Sequence, residues 1–216
     1  MQTLLDHLAV AAPSLAIGAD YIEHTLGVRP QPGGAHPRMG THNLLLRLGE
    51  SIYLEVIAPD PAAPPPQRPR WFELDRLAAD SAPRLATWVA RTDDIAAASK
   101  ACGGQAGQVE PMTRGALSWR ITIPADGSLP GDGVAPTLIQ WDASPHPATR
   151  LDDLGCTLQA LHLFHPDPAG IRATLEAIAF AGPVEIHALP ADAVPYLQAH
   201  IRTPRGPRML PAAAPA

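Results

Sequence analysis

A glutamate in an apolar segment is the residue whose chemistry most needs an explanation. Glu55 lies in the stretch 41–60, where two apolar runs flank Gly49-Glu50, a pattern that predicts a β-hairpin. With those two residues as the loop, Leu44 opposes Glu55, and His42 follows on the same face of the sheet. Because an unpaired buried charge is costly, we expect Glu55 either to be solvated or to be held by a cation or by hydrogen bonds. A histidine beside a carboxylate is also a general acid–base pair.

The composition is that of a globular protein with a sizeable core. Of 216 residues, 46% are hydrophobic and 17% charged, and the net charge is −5. Without a cluster of basic residues, the chain is not expected to bind nucleic acid or an anionic membrane surface. The two cysteines have no metal-ligand spacing, no apolar run is long enough to span a membrane, and the N-terminus lacks the bases of a signal peptide. We therefore expect a cytoplasmic protein with reduced thiols.

A pattern of one strand, one helix and three strands organises the first segment, residues 3–60. An apolar strand ends at Pro13, and Ser14 and Gly27 are typical of the two ends of a helix. An irregular edge strand and the hairpin described above complete the unit.

The same pattern returns twice. It recurs in residues 84–143 and, with a stunted last strand, in residues 156–211. The proline-rich stretch 59–70 predicts an extended linker, and residues 71–79 a short helix. A spacing of roughly 70 residues indicates an internal repeat, which we interpret as one domain over residues 1–216.

Motifs in the first segment resemble those of the vicinal-oxygen-chelate superfamily. They are Leu-Asp-His-Leu at 5–8, Gly-Thr-His-Asn-Leu-Leu-Leu-Arg-Leu at 40–48 and Tyr-Leu-Glu-Val-Ile-Ala-Pro-Asp-Pro at 53–61, the last two typical of its glyoxalase-like group. The resemblance implies an α+β fold of repeated βαβββ modules. Their antiparallel strands would curl into a half-open cup around a divalent metal, with the helices outside.

The resemblance also implies a ligand set. His7 and Glu55 match the ligand positions of the first and fourth strands, and His42 lies diagonally from Glu55. The three would hold Fe, Mn, Ni, Co or Zn with positions open for a substrate, and His7 and Glu55 would be catalytic. In the second module the matching positions are Thr87, a poor ligand, and Gln140, an acceptable one.

Each of these residues also has a structural interpretation. His7 is alternatively a core histidine bonded to a carbonyl, Glu55 a member of a buried polar network, and His42 a residue that stabilises the start of its strand. Four histidines of the third segment carry no ligand spacing and are interpreted as surface or packing residues: His162, His165, His187 and His200.

Second-module side chains are the candidates for contacts with a substrate. Trp88, Trp119 and Trp141 would give the cup an aromatic wall, unless they are ordinary core residues. Arg120 would anchor a carboxylate or phosphate, unless it is a solvated strand residue. Gln140 would add a polar contact.

Two functions from different classes remain. One is a metal-dependent lyase, isomerase or dioxygenase-type enzyme acting on a small oxygenated substrate, favoured by the clustered His7, His42 and Glu55. The other is a metal-free protein that binds or sequesters a small molecule in the same cup, favoured by the missing second-module ligands. With three modules, the third either extends the cup or pairs across a homodimer.

Overall fold

The computed structural model describes residues 1–115, 117–142 and 145–211; residue 143, the predicted end of the second module, lies outside the described residues. The first two modules each contain one strand, one helix and three strands, as predicted. Their elements are β1 (Thr3–Ala11), α1 (Leu15–Leu26), β2 (Gln31–His36), β3 (Thr41–Arg47), β4 (Tyr53–Pro59), β5 (Arg84–Thr92), α2 (Ile95–Ala101), β6 (Gln108–Arg114), β7 (Leu117–Ile123) and β8 (Thr137–Trp141).

Capping residues set the ends of the helices. Ser14 accepts a hydrogen bond from the Ile17 N–H at 3.3 Å and begins α1. Gly27 ends α1 in a left-handed conformation, with φ of 74°, that residues with a side chain rarely adopt. Asp94 caps α2 in the same way, through the N–H of Ala97. The boundaries predicted for α1 are confirmed.

The two modules form one curled sheet in the order β2-β3-β4-β1-β5-β8-β7-β6. β1 and β5 pair antiparallel at its centre, with Ala9 opposite Thr87. β1 also runs parallel to β4, and β5 parallel to β8. The α+β cup is confirmed, but the sheet is mixed. Because the helix returns the chain before β2 begins, and two hairpins follow, the fourth strand of each module runs in the direction of the first.

A β-bulge interrupts β1 at Asp6. The pairing with β5 passes from Leu5 to His7, which leaves Asp6 as the extra residue. Strict alternation would direct Asp6 and His7 to opposite faces of the sheet. With the bulge, their buried side chains meet.

The inner face of the cup is packed. Residues 60–70 contain neither helix nor strand, and the segment after them, predicted as a helix over 71–79, forms 3₁₀ turns at Trp71–Arg76. Within it, Phe72 and Glu73 have positive φ angles of 58° and 56°. We call residues 71–76 the strap, because its apolar side chains fill the cup between the two modules. They pack with a cluster that includes Ala9, Ile57, Val89, Trp119 and Ile139.

The last third of the chain forms a separate small sheet in the order β11-β9-β12-β13. Its elements are β9 (Thr157–His165), α3 (Pro168–Ala177), β10 (Phe180–Ala181), β11 (Val184–Ala188), β12 (Tyr196–Thr203) and β13 (Gly206–Pro211). The predicted third module differs from the first two in strand order. β9 lies between β11 and β12 and runs parallel to β11, while β10 joins β1 of the large sheet.

The small sheet covers the outer face of the large one. Leu161 and Ile201 belong to the same core cluster as Ile22 of α1 and Trp88 of β5. The third segment therefore backs the cup instead of extending it. The single domain over 1–216 and the homodimer stay predictions. Among the described residues, no helix has the length and apolar character needed to cross a membrane.

Candidate functional site

The structure brings His7 and Glu55 together on the inner face. They lie on the neighbouring parallel strands β1 and β4, and Nε2 of His7 is 3.6 Å from Oε2 of Glu55. Both side chains are buried. The imidazole stacks on the ring of Tyr53, with centroids 4.5 Å apart and planes inclined by 15°, and this contact fixes its direction. The two residues singled out by the resemblance are thus adjacent.

Asp6 holds His7 from behind. Its Oδ1 accepts a hydrogen bond from Nδ1 of His7 at 2.6 Å, and its Oδ2 accepts from Nε1 of Trp141 and Nε2 of His146, both at 2.9 Å. Burial by itself would raise the pKa of Asp6, but the hydrogen bonds from His146 and His7 outweigh it and hold that pKa well below its ordinary value. Because the ionised carboxylate only accepts, the hydrogen of a neutral His7 sits on Nδ1 and the Nε2 lone pair faces Glu55.

Hydrogen bonds connect Glu55 to a cation on its other side. Nδ2 of Asn43 donates to Oε1 of Glu55 at 2.5 Å, and Oδ1 of Asn43 accepts from Nη1 of Arg114 at 3.3 Å. The same Nη1 donates to Nε2 of His36 at 3.2 Å. Burial lowers the pKa of His36 to about 4; the Glu55 charge opposes this shift and the Arg114 charge adds to it. His36 is therefore neutral at pH 7 and able to accept that hydrogen bond.

The hairpin register differs by one residue from the prediction, and this turns His42 away. Leu45 is the residue opposite Glu55, because the loop contains the five residues Leu48–Ile52 instead of two. The N–H of Leu48 closes it by donating to the Ile52 carbonyl at 2.9 Å. Since a shift of one residue exchanges the two faces, Asn43 takes the inner position and His42 the opposite one. The predicted face of His42 was wrong.

These polar groups border a small cavity at the bottom of the cup. Its volume is about 30 Å³, which is room for roughly one water molecule. Burial and the charges of Asp6 and Glu55 raise the pKa of Tyr53 well above 10.0, so its phenol stays protonated. The apolar part of the wall consists of Trp71, Phe72, Trp119, Ile121, Ile139 and Trp141.

Three residues predicted to contact a substrate lie outside this cavity. Trp88 is fully buried toward the small sheet and donates to a backbone carbonyl at 2.8 Å. Gln140 binds backbone groups at the start of α2. The Arg120 side chain is 43% exposed and lies beside Asp142, away from the cup. Alternation along the strands explains these corrections, because the inner positions are taken by their sequence neighbours Val89, Trp119 and Trp141.

The sequence also matches a known family over most of its length. A family model described as a glyoxalase-like domain covers residues 5–179. The chain belongs to this family. The resemblance to the vicinal-oxygen-chelate superfamily, inferred from the sequence, is confirmed by this match and by the curled sheet. Among curated proteins, none matches the sequence significantly.

Comparison with solved structures gives matches at low sequence identity. A hypothetical protein from Staphylococcus aureus is 12% identical over 87% of each chain, with a TM-score of 0.56. Methylmalonyl-CoA epimerase from Streptomyces coelicolor is 17% identical over 65% of this chain and 97% of its own, with a TM-score of 0.45. The epimerase from Mycobacterium tuberculosis is 15% identical over 65% of this chain and 88% of its own, with a TM-score of 0.42.

Of the four ligand positions that the family resemblance implies, two carry metal donors that meet in the glyoxalase-like cup. His7 and Glu55 face each other, but the hydroxyl of Thr87 is directed to a backbone carbonyl at 3.4 Å, and Gln140 lies on the outer face. A metal centre with ligands from all four of these positions therefore does not fit the cup. In the described part of the chain, three metal-ligand side chains come together elsewhere, on the small sheet. One ligand atom of each lies within 4.8 Å of the others: His162, Glu185 and His187.

Sequence reasoning missed Asp6, Asn43 and Arg114. An aspartate beside a histidine in an apolar strand was a signal for Asp6, and Asn43 was one step of register away from the predicted face. Arg114 ends β6, at one edge of the sheet, and meets His36 of β2 at the other edge. Only the curl of the sheet joins these edges, so no local pattern identifies Arg114.

Proposed function

We propose that this glyoxalase-like protein is an enzyme that moves a proton on a small oxygenated substrate, with His7 as the acid–base group. The observation that carries this proposal is the position of His7 between two carboxylates. Its Nδ1 is 2.6 Å from Oδ1 of Asp6, and its Nε2 is 3.6 Å from Oε2 of Glu55. A charged carboxylate that holds Nδ1–H leaves Nε2 directed into the cavity. This is the arrangement that general-base catalysis by histidine requires.

The two carboxylates favour the charged intermediate state of such a reaction. His7 Nε2 accepts the proton that leaves a carbon or hydroxyl group of the substrate, and the imidazolium then lies between Asp6 and Glu55. Return of this proton to another atom of the substrate completes an isomerisation. Its delivery to a leaving oxygen completes an elimination.

The surroundings favour a substrate with a negatively charged oxygen. Arg114 borders the cavity and presents a guanidinium group suited to a carboxylate or an enolate. Trp119 and Trp141 add apolar walls. Because the cavity of about 30 Å³ holds roughly one water molecule, we propose that the strap at Trp71–Arg76, which supplies part of its wall, moves when a substrate enters.

A divalent metal held by His7 and Glu55 is the second candidate. The 3.6 Å between Nε2 and Oε2 suits two neighbouring ligands of one ion. Histidines that bind metals also usually donate their other nitrogen to a carboxylate, as His7 does to Asp6. An ion here, of the Fe, Mn, Ni, Co or Zn type, would polarise a substrate carbonyl.

Exchange of substrate hydrogen for solvent deuterium tests the proton transfer. Small 2-hydroxy and 2-oxo acids are incubated with the protein in D₂O, and loss of C–H signals is followed by proton NMR. We expect His7→Gln to slow exchange by at least about 100-fold, and Arg114→Gln to raise KM more than it lowers kcat. The matched control is His24→Gln, which changes an exposed histidine of α1.

Metal analysis separates the two candidates. The assay is repeated with protein freed of metal by a chelator, in a Glu185→Gln background that removes the cluster on the small sheet. Exchange that survives supports direct proton transfer, and exchange restored only by an added ion supports the metal. If every acid that binds fails to exchange, the enzyme proposal is refuted, and the metal-free binding protein is favoured instead.

A further inference from the structure

The exposed face of the small sheet carries a cluster of histidines that the cup does not use. His162 lies on β9, and Glu185 and His187 on the adjacent strand β11. The two strands are parallel, with His162 directly opposite Glu185. Because residues two apart share a face, His187 projects beside them. The cluster lies on a different sheet from His7 and Glu55, and the family match at 5–179 ends before β11 begins.

Distances within the cluster suit a bound ion. Nε2 of His187 is 3.1 Å from Nδ1 of His162, and Oε2 of Glu185 is 3.7 Å from Nε2 of each histidine. Neighbouring ligands of a tetrahedral zinc ion, bound at about 2.0–2.1 Å, lie about 3.3 Å apart. The observed separations, 3.1 and 3.7 Å, lie on both sides of this value, but they involve both nitrogens of His162, and an imidazole presents only one nitrogen to an ion. One ligand atom from each of the three side chains lies within 4.8 Å of the others, so side-chain rotations would bring the three donors onto one ion.

A fourth donor lies beside the first three. The ring centroid of His200, on β12, is 4.4 Å from that of His162. Nε2 of His200 is buried and has no hydrogen-bond partner within the described residues. A buried nitrogen without a partner is uncommon in a folded protein, and coordination of an ion would satisfy it.

A packing contact holds one of these imidazoles in place. Phe164 stacks on His187 with centroids 4.6 Å apart and planes inclined by 18°, which limits rotation of that ring.

We propose that this face binds one divalent transition-metal ion of the Zn²⁺ type, with His162, Glu185 and His187 as ligands and His200 as the fourth. Imidazole nitrogens with one carboxylate favour Zn, Ni or Cu over Mg and Ca. The ion would join β9, β11 and β12 across their exposed face. Its binding would therefore stabilise the small sheet, in a manner independent of any reaction in the cup.

Zinc titration of the full chain, produced without an affinity tag and treated with a chelator, tests the site. Isothermal titration calorimetry should give one tight site per chain, and Zn²⁺ should raise the midpoint of thermal unfolding. His187→Ala and Glu185→Gln should each weaken this binding at least about tenfold and abolish the thermal shift. The Glu185 and His187 side chains are 61% and 37% exposed, so we expect both variants to fold, as circular dichroism without metal would verify.

Controls assign the ion to this face. His24→Ala, at an exposed histidine of α1, should leave the zinc affinity and the thermal shift unchanged, whereas zinc binding that is lost in His7→Gln would assign the ion to the cup and overturn the proposal. Weaker binding by His200→Gln is expected, and unchanged binding would remove His200 from the ligand set. Wild-type protein that does not bind Zn²⁺, or binds it as tightly as His187→Ala does, would overturn the proposal.

Discussion

Replacing Asp6 with asparagine should change which nitrogen of His7 carries the proton. The carboxylate accepts from three donors, on His7, Trp141 and His146. The indole nitrogen of Trp141 can only donate, so an asparagine must turn its oxygen toward Trp141. Its NH₂ group then faces Nδ1 of His7. To accept that hydrogen bond, His7 must move its proton to Nε2, where it points at Glu55.

The same substitution should destabilise the fold by about 2 kcal/mol. A hydrogen bond to a charged acceptor contributes about 1 kcal/mol more than a neutral one, and Asp6 accepts three of them. The three weakened hydrogen bonds together would cost roughly 3 kcal/mol. About 1 kcal/mol of this is regained because the variant no longer buries a charge. With a urea m value of about 2 kcal/mol per M, the midpoint of unfolding should fall by about 1 M.

The stability difference between wild type and Asp6→Asn should depend on pH. Because the pKa of Asp6 is lower in the folded protein than its ordinary value of 3.8, its stabilisation is complete above that value and is lost as the pH falls below it. Wild type and Asp6→Asn should therefore differ most at neutral pH and converge in acid.

Two measurements test the predicted loss of stability and the predicted change of the His7 tautomer. Urea unfolding followed by circular dichroism gives the stability of each protein, with Asp20→Asn as the matched control, because the Asp20 side chain is 71% exposed. Imidazole ¹⁵N chemical shifts give the tautomer of His7. Stability within about 0.5 kcal/mol of wild type at pH 7, or a proton that stays on Nδ1 in the variant, would refute the reasoning.

Three further substitutions test the fold around the cup. In Gly127→Ala, the new Cβ would lie 2.2 Å from the Arg70 carbonyl oxygen at a φ of +73°; we expect a loss of about 1–3 kcal/mol and faster hydrogen exchange in the strap, and unchanged exchange would contradict this. Trp88→Ala should cost about 3–5 kcal/mol in urea unfolding, because it empties a fully buried position; a loss below about 1 kcal/mol would argue against that packing. Ser14→Ala should cost about 1 kcal/mol by removing the cap of α1, and equal midpoints of thermal unfolding would show that the cap is dispensable.

Local features made much of the fold predictable. Ser14 and Gly27 identified the ends of α1, because capping depends on side chains and backbone angles within one turn. The order of strands and helices in the first two modules followed from apolar periodicity and proline or glycine punctuation. His7 and Glu55 were identified through family motifs, and they lie next to each other.

Errors arose where one residue decides which face a side chain takes. The five-residue loop Leu48–Ile52 shifted the hairpin and exchanged His42 for Asn43. A bulge directed Asp6 toward His7, although alternation would have separated them. Gln140 was assigned to the wrong face of β8 by alignment of strands alone.

The amino-acid sequence by itself determined the module pattern, the helix caps and the pair His7 and Glu55, because these depend on neighbours along the chain and on recognisable motifs. Tertiary structure alone decided that Arg114 of one sheet edge meets His36 of the other. It also decided that His162 and His187 meet across strands β9 and β11. Curl and strand order bring together residues far apart in sequence, and no local periodicity encodes either of them.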